Sequence, residues 1–319
     1  MDGREAQPAR ELWYCDGWAP NLKIHHRVRG ALFDGRSAYQ RIEVCDTYDF
    51  GRLLIIDDLP QAAERDEMIY ARAITWPALL AVKGPKRVLV AGGGDGHVLR
   101  DVLRFPTVTS AVICDIDSMV TQVTSELMPF MWNGAGEDRR TRIEHRDALE
   151  FLADLAPGSF EVVISDITDP TGEGTASHGL YTPEYFKLLR RALVDGGICV
   201  AQAQELSIKD WADHKRLRGL AAGVFRAVRS GHAYVPSFGY PEGFIFASDD
   251  PRALDLARSQ AESALADNGL VGDPYFDAAV YQAMFALPPL VAAELARSAD
   301  AAGERSGETP RGPGGSLTR

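Results

Sequence analysis

The sequence predicts an α/β protein with a Rossmann-like sheet, preceded by a small β-rich domain. Two observations indicate the sheet: apolar strand-like runs alternate with helical stretches from residue 83 onward, and a glycine-rich turn follows the first of these runs. Strands buried on both faces read as continuous apolar runs, and helices between them favour a parallel sheet. Short runs of alternating polarity before residue 83 indicate the β-rich domain.

The composition is that of a globular protein. The chain has 319 residues, of which 45% are hydrophobic and 25% are charged, which is enough for one large domain and a smaller one. Its formal net charge is −11, and Lys and Arg form no cluster. Because nucleic-acid phosphates are bound by such clusters, we expect no nucleic-acid partner. The acidity suits a cationic substrate.

The N-terminal domain is predicted over residues 1–82. Residues 39–44 and 52–56 alternate as strands do, and the polar segment 46–51 between them has hairpin composition. Residues 70–80 form a predicted helix, which ends before the break at Gly84-Pro85.

The second domain is predicted over residues 83–297. Its strands are expected at 87–91, 111–115, 142–144, 161–165 and 198–201, with helices between them. A helix near 208–225, strand-like runs at 233–235 and 244–247, and helical stretches at 253–266 and at 278–296 follow, the last of them interrupted at Pro288-Pro289. Residues 298–319 are rich in Gly, Pro, Ser and charge, which predicts a disordered tail.

The sequence contains no pattern typical of targeting or metal binding. No apolar stretch is long enough to span a bilayer, and residues 1–10 lack the apolar core of a signal peptide. We therefore expect a cytoplasmic protein without a membrane partner. Cys15, Cys45, Cys114 and Cys199 form no C-x-x-C pair, so we expect neither a zinc site nor any other bound metal.

The glycine-rich turn Gly92-Gly93-Gly94-Asp95-Gly96 lies where the first strand of the second domain meets a helix. Glycine has no Cβ, so backbone N–H groups in such a turn can approach a ligand closely. The spacing is G-x-G-x-G, and His97 stands where a dinucleotide-binding turn has its third glycine. The turn therefore favours a class I methyltransferase-type sheet that binds a nucleoside of the S-adenosyl-sulfonium type.

Acidic side chains follow the next two strands. Asp115 comes about 20 residues after the turn, where a carboxylate can accept both ribose hydroxyls. Asp117 is expected to point to the other side, and capping of a helix is the alternative role for either acid. Asp147 follows the third strand, beside the expected adenine edge, where a carboxylate can accept a proton of the exocyclic amine.

The fourth strand ends in Asp166-Ile167-Thr168-Asp169-Pro170, with two carboxylates at the sheet edge where ligands bind. A primary amine, with a pKa of about 10.4, is protonated at neutral pH and cannot attack a sulfonium. Asp166 can hold the ammonium and accept its proton as a general base, and Asp169 can hold a further amine. The polar segment 171–179 is predicted to form a mobile lid.

Several stretches share a further pattern: Ser37-Ala38-Tyr39-Gln40, residues 51–57, residues 61–70, the Gly92 to Gly96 turn, Cys114-Asp115-Ile116-Asp117 and residues 166–170. Together they resemble the spermidine and thermospermine synthase family of aminopropyltransferases, over roughly residues 13–296. Asp115 and residues 235–238, 247–249 and 275–287 are more similar to the thermospermine-type branch.

The resemblance implies a small N-terminal β-domain and a Rossmann-like catalytic domain. It also implies decarboxylated S-adenosylmethionine as the donor, methylthioadenosine as the by-product, and a homo-oligomer, either a dimer or a tetramer. Asp95 would bind the donor's ammonium, and Asp166 would be the base. The residues implied to bind the nucleoside are Gln40, Asp115 and Asp147, and those implied to position the amine are Tyr70, Asp169 and Gln61.

Three positions, Ala71, Arg72 and His97, depart from the family pattern. Tyr70-Ala71-Arg72 stands where the family usually reads Tyr-His-Glu, and His97 stands where Gly or Ser is usual. Two like charges about 4 Å apart repel by about 4 kcal/mol at an effective dielectric constant of about 20. Either Arg72 points away from the cleft, or the acceptor is not a plain polyamine.

Three functions therefore stay open. We expect aminopropyl transfer to an amine such as putrescine, agmatine or spermidine, because Asp95 favours an ammonium over the extra carboxylate of intact S-adenosylmethionine. N-methyl transfer from intact S-adenosylmethionine is the alternative, with His97 tolerating that carboxylate. A binding or regulatory protein is the third, suggested by Ala71 and Arg72 and disfavoured by the two acids after the fourth strand.

Overall fold

A computed structural model describes residues 11–17, 21–168, 177–253 and 255–302. These residues form a five-stranded antiparallel sheet and a seven-stranded mixed sheet with helices on both faces. The predicted fold class, a Rossmann-like sheet with a small β-domain before it, is confirmed.

The first sheet is a meander of consecutive antiparallel strands. They are β1 (Leu12–Cys15), β2 (His25–Arg36), β3 (Arg41–Thr47), β4 (Gly51–Ile56) and β5 (Leu59–Ala63), and they lie in this order. The hairpin between β3 and β4 agrees with the strands predicted at 39–44 and 52–56. The sequence gives no clear signal for β2, because most of its residues are exposed or only half-buried and apolar side chains do not alternate along it.

The second sheet carries the predicted strand-and-helix alternation. Its strands are β6 (Arg87–Gly92), β7 (Ser110–Cys114), β8 (Thr141–Glu144), β9 (Phe160–Asp166), β10 (Leu193–Glu205), β11 (Ala227–Val235) and β12 (Tyr240–Ser248). They lie in the order β11-β12-β10-β9-β6-β7-β8, and β12 alone runs antiparallel to the other strands, since it is antiparallel to both of its neighbours, β10 and β11.

The helices connect these strands and close the chain. They are α1 (Glu67–Ala81), α2 (His97–Leu103), α3 (Ser118–Leu127), α4 (Pro129–Trp132), α5 (Ala148–Asp154), α6 (Pro183–Ala192), α7 (Ala212–Ala222), α8 (Arg258–Asp267), α9 (Ala278–Met284) and α10 (Pro289–Ala302). In the described part of the chain no single helix is long and apolar enough to cross a bilayer. The bent pair formed by α9 and residues 289–297 passes that test of length and composition only when taken together.

The central strand β6 is buried on both faces, as its continuous apolar run predicts. Val88 and Val90 face a core that includes residues of α1 and α2, whereas Leu89 and Ala91 face a core that includes residues of α5 and α6. Two-sided burial of this kind is typical of parallel sheets and holds the end of the strand firmly. The glycine-rich turn at that end therefore starts from a rigid support.

Two predicted boundaries in the C-terminal part differ from the structure. The helix expected at 253–266 begins only at Arg258, where the side chain of Gln260 accepts the backbone N–H of Ala257 and so caps the helix. The last helix runs to Ala302, past the expected start of the tail at Ser298. Residues 303–319 of that tail lie outside the described residues.

Candidate active site

A cleft opens at the carboxyl ends of β6, β7 and β9. The strand order reverses here, because β7 and β8 follow on one side of β6 and β9 and β10 lie on the other. Ligands of open α/β sheets bind at such a switch point. In the register of the sheet, Gly92 at the end of β6 lies opposite Asp166 at the end of β9. The predicted site residues that line the cleft are Gln40, Gln61, Tyr70, Gly92, Gly94, Asp95, Asp115, Asp147 and Asp166.

The glycine-rich turn is held between two of these acids. The Gly93 N–H donates to the Asp166 carbonyl at 2.9 Å, and the Gly94 N–H donates to Oδ2 of Asp115, also at 2.9 Å. A Cβ on Gly94 would lie 2.7 Å from that same carboxylate oxygen. Glycine at this position therefore allows a close approach between the turn and the Asp115 carboxylate.

Gly96 does not line the cleft, although the sequence predicts it as a cofactor-binding residue. It precedes α2 with a φ of 90°, and a Cβ there would lie 2.3 Å from the indole of Trp132. Gly96 is needed for this left-handed conformation and for packing against Trp132. Spacing in the sequence does not separate a glycine that faces a ligand from one that faces a buried ring.

Asp115 lines the cleft, whereas Asp117 is not among the residues of the cleft wall. Oδ1 of Asp115 accepts the Asp117 N–H at 2.8 Å, and burial raises the pKa of Asp115, which lines the cleft. Asp117 is buried and caps α3 through the Met119 N–H at 3.0 Å. Its other oxygen accepts from Ser37 at 2.6 Å and from Nε2 of Gln40 at 3.0 Å, so it holds the Gln40 side chain at the cleft.

Asp147 and Gln61 lie in the cleft wall with part of their polar atoms already engaged. Oδ1 of Asp147 accepts the backbone N–H groups of Leu149 and Glu150, at 2.7 and 3.2 Å, and so caps α5. Nε2 of Gln61 donates to the Leu59 carbonyl at 3.2 Å. At Asp147 a capping role, which the sequence analysis did not predict for this residue, thus coexists with a place in the cleft.

Asp95 and His97 form a buried polar pair in the same wall. Nδ1 of His97 lies 3.4 Å from Oδ2 of Asp95, and the two residues are 1% and 8% exposed respectively. Within the described residues, Oδ1 of Asp95 and both ring nitrogens of His97 have no hydrogen-bond partner. Burial, with the nearby charge of Asp115, raises the pKa of Asp95 to about 7, and burial lowers the pKa of His97. At neutral pH this imidazole is therefore uncharged.

Asp166 is oriented by Tyr70. The Tyr70 phenol donates to Oδ1 of Asp166 at 2.5 Å, and the tyrosine ring packs edge-on against His97 and Phe244. Burial raises the pKa of Asp166 to about 6, and the hydrogen bond from Tyr70 opposes that rise. A carboxylate with such a pKa can exchange a proton near neutral pH, as a general base must.

Asp95, His97 and Asp166 together can hold a cation. Their ligand atoms lie within 4.8 Å of one another, an arrangement that suits a bound metal ion as well as an ammonium group. The absence of a metal therefore stays a prediction.

Two polar residues of the cleft wall were missed in the sequence. Glu242, at the amino end of β12, is 2% exposed, and its Oε1 accepts Nε2 of Gln202 at 3.1 Å. Because β12 runs antiparallel, its first residues reach the edge at which the parallel strands end. The signal was a single acid, Glu242, separated by one glycine from the apolar run Phe244-Ile245-Phe246-Ala247.

Arg72 points away from the cleft. Its Nη2 lies 3.0 Å from Asp273 and its Nε lies 3.6 Å from Asp101, and the guanidinium stacks over Trp76 at 5.3 Å. Of the two alternatives for this departure from the family pattern, the first therefore holds. Residues 169–176 lie outside the described residues. They include Asp169 and most of the predicted lid.

The wall of the cleft is strongly acidic. Its described residues include five carboxyl side chains and no Lys or Arg. The five are Asp95, Asp115, Asp147, Asp166 and Glu242. A cleft of one charge sign attracts ligands of the other, so this site suits a cationic ligand.

Known proteins match this chain over both sheets. A family model described as "Spermine/spermidine synthase domain" matches residues 67–253, and one described as "Spermidine synthase tetramerisation domain" matches residues 12–64. A polyamine aminopropyltransferase of Aeropyrum pernix is 36% identical over 245 residues, covering 76% of this chain and 77% of its own. One of Xanthomonas axonopodis pv. citri is 32% identical over 292 residues, covering 90% and 99%.

A solved structure has the same fold. A spermidine synthase in complex with the transition state analogue AdoDATO superposes with a TM-score of 0.83 at 26% identity, over 92% of this chain and 98% of its own. The cleft, the acids at the strand ends and these similarities agree, and the chain belongs to the spermine/spermidine synthase family.

Proposed function

We propose that this protein is a polyamine aminopropyltransferase, which moves the aminopropyl group of decarboxylated S-adenosylmethionine to an amine and releases methylthioadenosine. The observation that carries the proposal is the cleft with five carboxyl groups and no Lys or Arg among its described wall residues. Both substrates are cationic: the donor carries a sulfonium and an ammonium, and the acceptor carries protonated amines. The names of the relatives, polyamine aminopropyltransferases, support the same reaction.

In this proposal the donor spans the glycine-rich turn. The ribose lies at Asp115, with Gln40 and Asp147 at the nucleoside end, and Gly92 and Gly94 let the backbone approach the sulfonium. The ammonium of the aminopropyl group lies at Asp95, whose Oδ1 has no hydrogen-bond partner within the described residues. A buried carboxylate in that state gains most from a cationic ligand.

The acceptor is activated at Asp166. Its carboxylate, held by Tyr70, takes a proton from the ammonium and leaves a neutral amine. The nitrogen lone pair then attacks the aminopropyl carbon next to sulfur, so a C–N bond forms while the C–S bond breaks. The sulfonium leaves as the neutral thioether methylthioadenosine, the new C–N nitrogen remains a charged secondary ammonium, and Asp166 passes the proton that it accepted to solvent. Gln61 and Asp169 would help to position the amine.

Methyl transfer from intact S-adenosylmethionine fits the cleft less well. That donor would bring its carboxylate next to Asp95, where the neighbouring imidazole of His97 has a pKa lowered by burial and carries no charge at neutral pH. A second carboxylate without a cationic partner is unfavourable in a buried site. His97 therefore does not make the site tolerant of intact S-adenosylmethionine.

The proposed function also assigns a role to each of the two predicted domains. We propose an N-terminal domain of residues 1–82 that joins copies of this chain into a dimer or tetramer, and a catalytic domain of residues 83–297. Membership of the thermospermine-type branch stays a prediction.

The test is incubation of the protein with each of the two donors and a panel of amines, with products identified by mass. Aminopropyl adducts and methylthioadenosine, formed only from the decarboxylated donor, are expected. A methyl adduct from intact S-adenosylmethionine would overturn the proposal, as would the absence of turnover with any pair. Asp166→Asn should abolish turnover while calorimetry shows nearly unchanged donor binding; full activity in that variant would disprove the role of the base.

A further inference from the structure

Glu242 and Asp166 face the cleft from strands that are two places apart. In the sheet, β10 separates β9 from β12, and neighbouring strands lie about 4.8 Å apart, so the two strands are about 10 Å apart. Gln202 lies between the two acids, because Ala201 pairs with Ser165 and Gln202 pairs with Phe244. The two carboxyl groups thus stand at opposite ends of one transverse groove.

The Glu242 carboxylate is buried and held in a fixed orientation. It is 2% exposed, and Gln202 donates to it from Nε2 at 3.1 Å. The Gln202 amide has a partner in turn, because the Tyr181 hydroxyl lies 3.3 Å from its Oε1 and 3.1 Å from the Ile167 carbonyl and can share its one proton between these acceptors. A chain of hydrogen bonds that ends on a carboxylate in a ligand cleft orients that carboxylate toward a specific position.

The space between the two acids is apolar on one side. Phe238 and Tyr240 line the cleft with their rings 5.8 Å apart, and the ring of Tyr70 packs against Phe238 at 6.3 Å. Glu242 lies close enough to Tyr70 for its charge to help raise the pKa of the phenol, after burial and Asp166. An acid, an aromatic wall and a second acid in a row match a ligand with two cationic ends joined by methylenes.

We propose that Glu242, held by Gln202, binds the distal ammonium of the acceptor and selects acceptors by their second charge and chain length. This inference rests on the proposed function. The reacting amine lies at Asp166, the methylenes pack against Phe238 and Tyr240, and the distal ammonium reaches Glu242. A monoamine fills only the half of the groove next to Asp166.

Two variants of Glu242 test charge and length separately. Glu242→Gln keeps the size of the side chain and an oxygen for Gln202 but removes the charge. Glu242→Asp keeps the charge but withdraws it by one methylene. We expect Glu242→Gln to lower kcat/KM for the best diamine by about 10- to 100-fold, the effect of one charged hydrogen bond. The value for the monoamine of equal chain length should stay within about twofold. Where that monoamine is not turned over, its competitive inhibition constant is compared.

The diamine series is 1,3-diaminopropane, putrescine and cadaverine, with n-butylamine as the monoamine matched to putrescine. Glu242→Asp should shift the preference to the next longer diamine. Glu205→Gln is the matched control, because Glu205 is equally buried and lies opposite Glu242 in the register but is not part of the cleft wall. It should leave the ratio of diamine to monoamine unchanged.

The outcomes separate this inference from the proposed function. If the wild type forms no aminopropyl product with any amine, the proposed function fails. If the wild type forms such products and Glu242→Gln keeps the same ratio of diamine to monoamine, only the role of Glu242 is overturned. Methylthioadenosine binding by calorimetry reports whether each variant is folded, and if Glu242→Gln does not fold, the change in preferred chain length of Glu242→Asp decides.

Discussion

The phenol of Tyr70 donates a hydrogen bond to Oδ1 of Asp166 at 2.5 Å, and this contact links α1 to the end of β9. The bond does more than orient the carboxylate, because a donor to the ionised form of an acid lowers its pKa. Burial raises the pKa of Asp166 to about 6, and the Tyr70 bond opposes that rise. Tyr70 therefore helps to keep the proposed base ionised at neutral pH.

Replacement of Tyr70 by phenylalanine should shift the pH profile of the enzyme. Wild-type kcat/KM should fall as the pH drops below about 6, since the base becomes protonated. In Tyr70→Phe the pKa of Asp166 rises, so this acid limb should move to higher pH, and kcat/KM at neutral pH should fall by about 10-fold. Steady-state rates between pH 5 and pH 9 measure both effects.

Tyr185→Phe is the matched control for that experiment. Tyr185 is also buried and hydrogen-bonds a β9 residue, Ser165, at 2.9 Å, but it is not part of the cleft wall. Its loss should leave the acid limb in place. An unshifted limb in Tyr70→Phe would contradict the role assigned to the Tyr70 hydrogen bond.

Replacement of Asp95 by asparagine should stabilise the protein without ligand. Burial raises the pKa of Asp95 to about 7, whereas the unfolded chain has a pKa near 3.9. The folded state thus binds the proton more tightly, and the resulting stability is fully present below about pH 4 and is lost as the pH rises through 7. At pH 8, Asp95→Asn should be more stable than the wild type by about 2–4 kcal/mol.

Urea unfolding at pH 5 and pH 8 measures this difference, which should shrink at the lower pH. The exposed Asp267→Asn variant is the control and should change stability little at either pH. Calorimetry should show that Asp95→Asn binds the decarboxylated donor about 10- to 100-fold more weakly, because the ammonium loses a charged partner. If Asp95→Asn is no more stable than the wild type at pH 8, the ionised Asp95 carboxylate does not destabilise the folded protein.

Sequence reasoning found the site residues that stand at the carboxyl ends of parallel strands. Asp115 follows β7 and Asp166 ends β9, and these strands flank β6 with their carboxyl ends at one edge, so their approach could be predicted from order and polarity alone. Glu242 could not be found in this way, because its strand is antiparallel and brings its amino end to the same edge. The direction of a strand within a sheet depends on the tertiary structure and cannot be read from a local sequence pattern.

The orientation of the Arg72 side chain could not be predicted from the sequence, for a different reason. Twelve of the 15 residues of α1 are buried, so the helix has no polar face from which the orientation of a single side chain could be inferred. What decides the direction is a pair of distant acids, Asp101 and Asp273, which the fold brings to one side of the helix. Contacts over such sequence distances are set by packing.

Loss of Arg72 should affect stability and not the choice of acceptor. Asp101 is fully buried, and Arg72→Met removes one of its cationic neighbours and one of the two arginines, with Arg104, that pair with Asp273. Breaking a buried ion pair costs about 3–5 kcal/mol, which urea unfolding would detect. The value of KM for the amine should change less than about twofold, because Arg72 lies outside the cleft wall.

The control for Arg72 is Arg258→Met, which removes an exposed ion pair with Glu262 and should cost about 0–1 kcal/mol. A marked change in KM for the amine in Arg72→Met would place the guanidinium near the acceptor, against the present assignment.

An apolar surface on the first sheet should join copies of the chain. Leu12, Trp13 and Leu32 are 52%, 52% and 47% exposed, on the edge strand β1 and its neighbour β2. Large apolar residues that are exposed near the edge of a sheet commonly mark an interface. The double variant Trp13→Glu with Leu32→Glu should lower the mass measured by light scattering, whereas Val271→Glu, at a residue 73% exposed elsewhere, should not. An unchanged mass in the double variant would exclude this surface.

A methyl group on Gly94 should weaken binding of the donor while the fold is retained. The added Cβ would meet Oδ2 of Asp115 at 2.7 Å, so the carboxylate must move and lose its 2.9 Å bond from the Gly94 N–H. Because that carboxylate is the proposed partner of the ribose, Gly94→Ala should reduce the affinity for methylthioadenosine by about 10- to 100-fold in calorimetry. Gly219→Ala is the control: Gly219 lies inside α7, a Cβ there meets nothing within 4 Å, and alanine should stabilise the helix by about 0.5–1 kcal/mol without changing affinity. If the two variants bind methylthioadenosine with equal affinity, binding does not depend on the position of the Asp115 carboxylate.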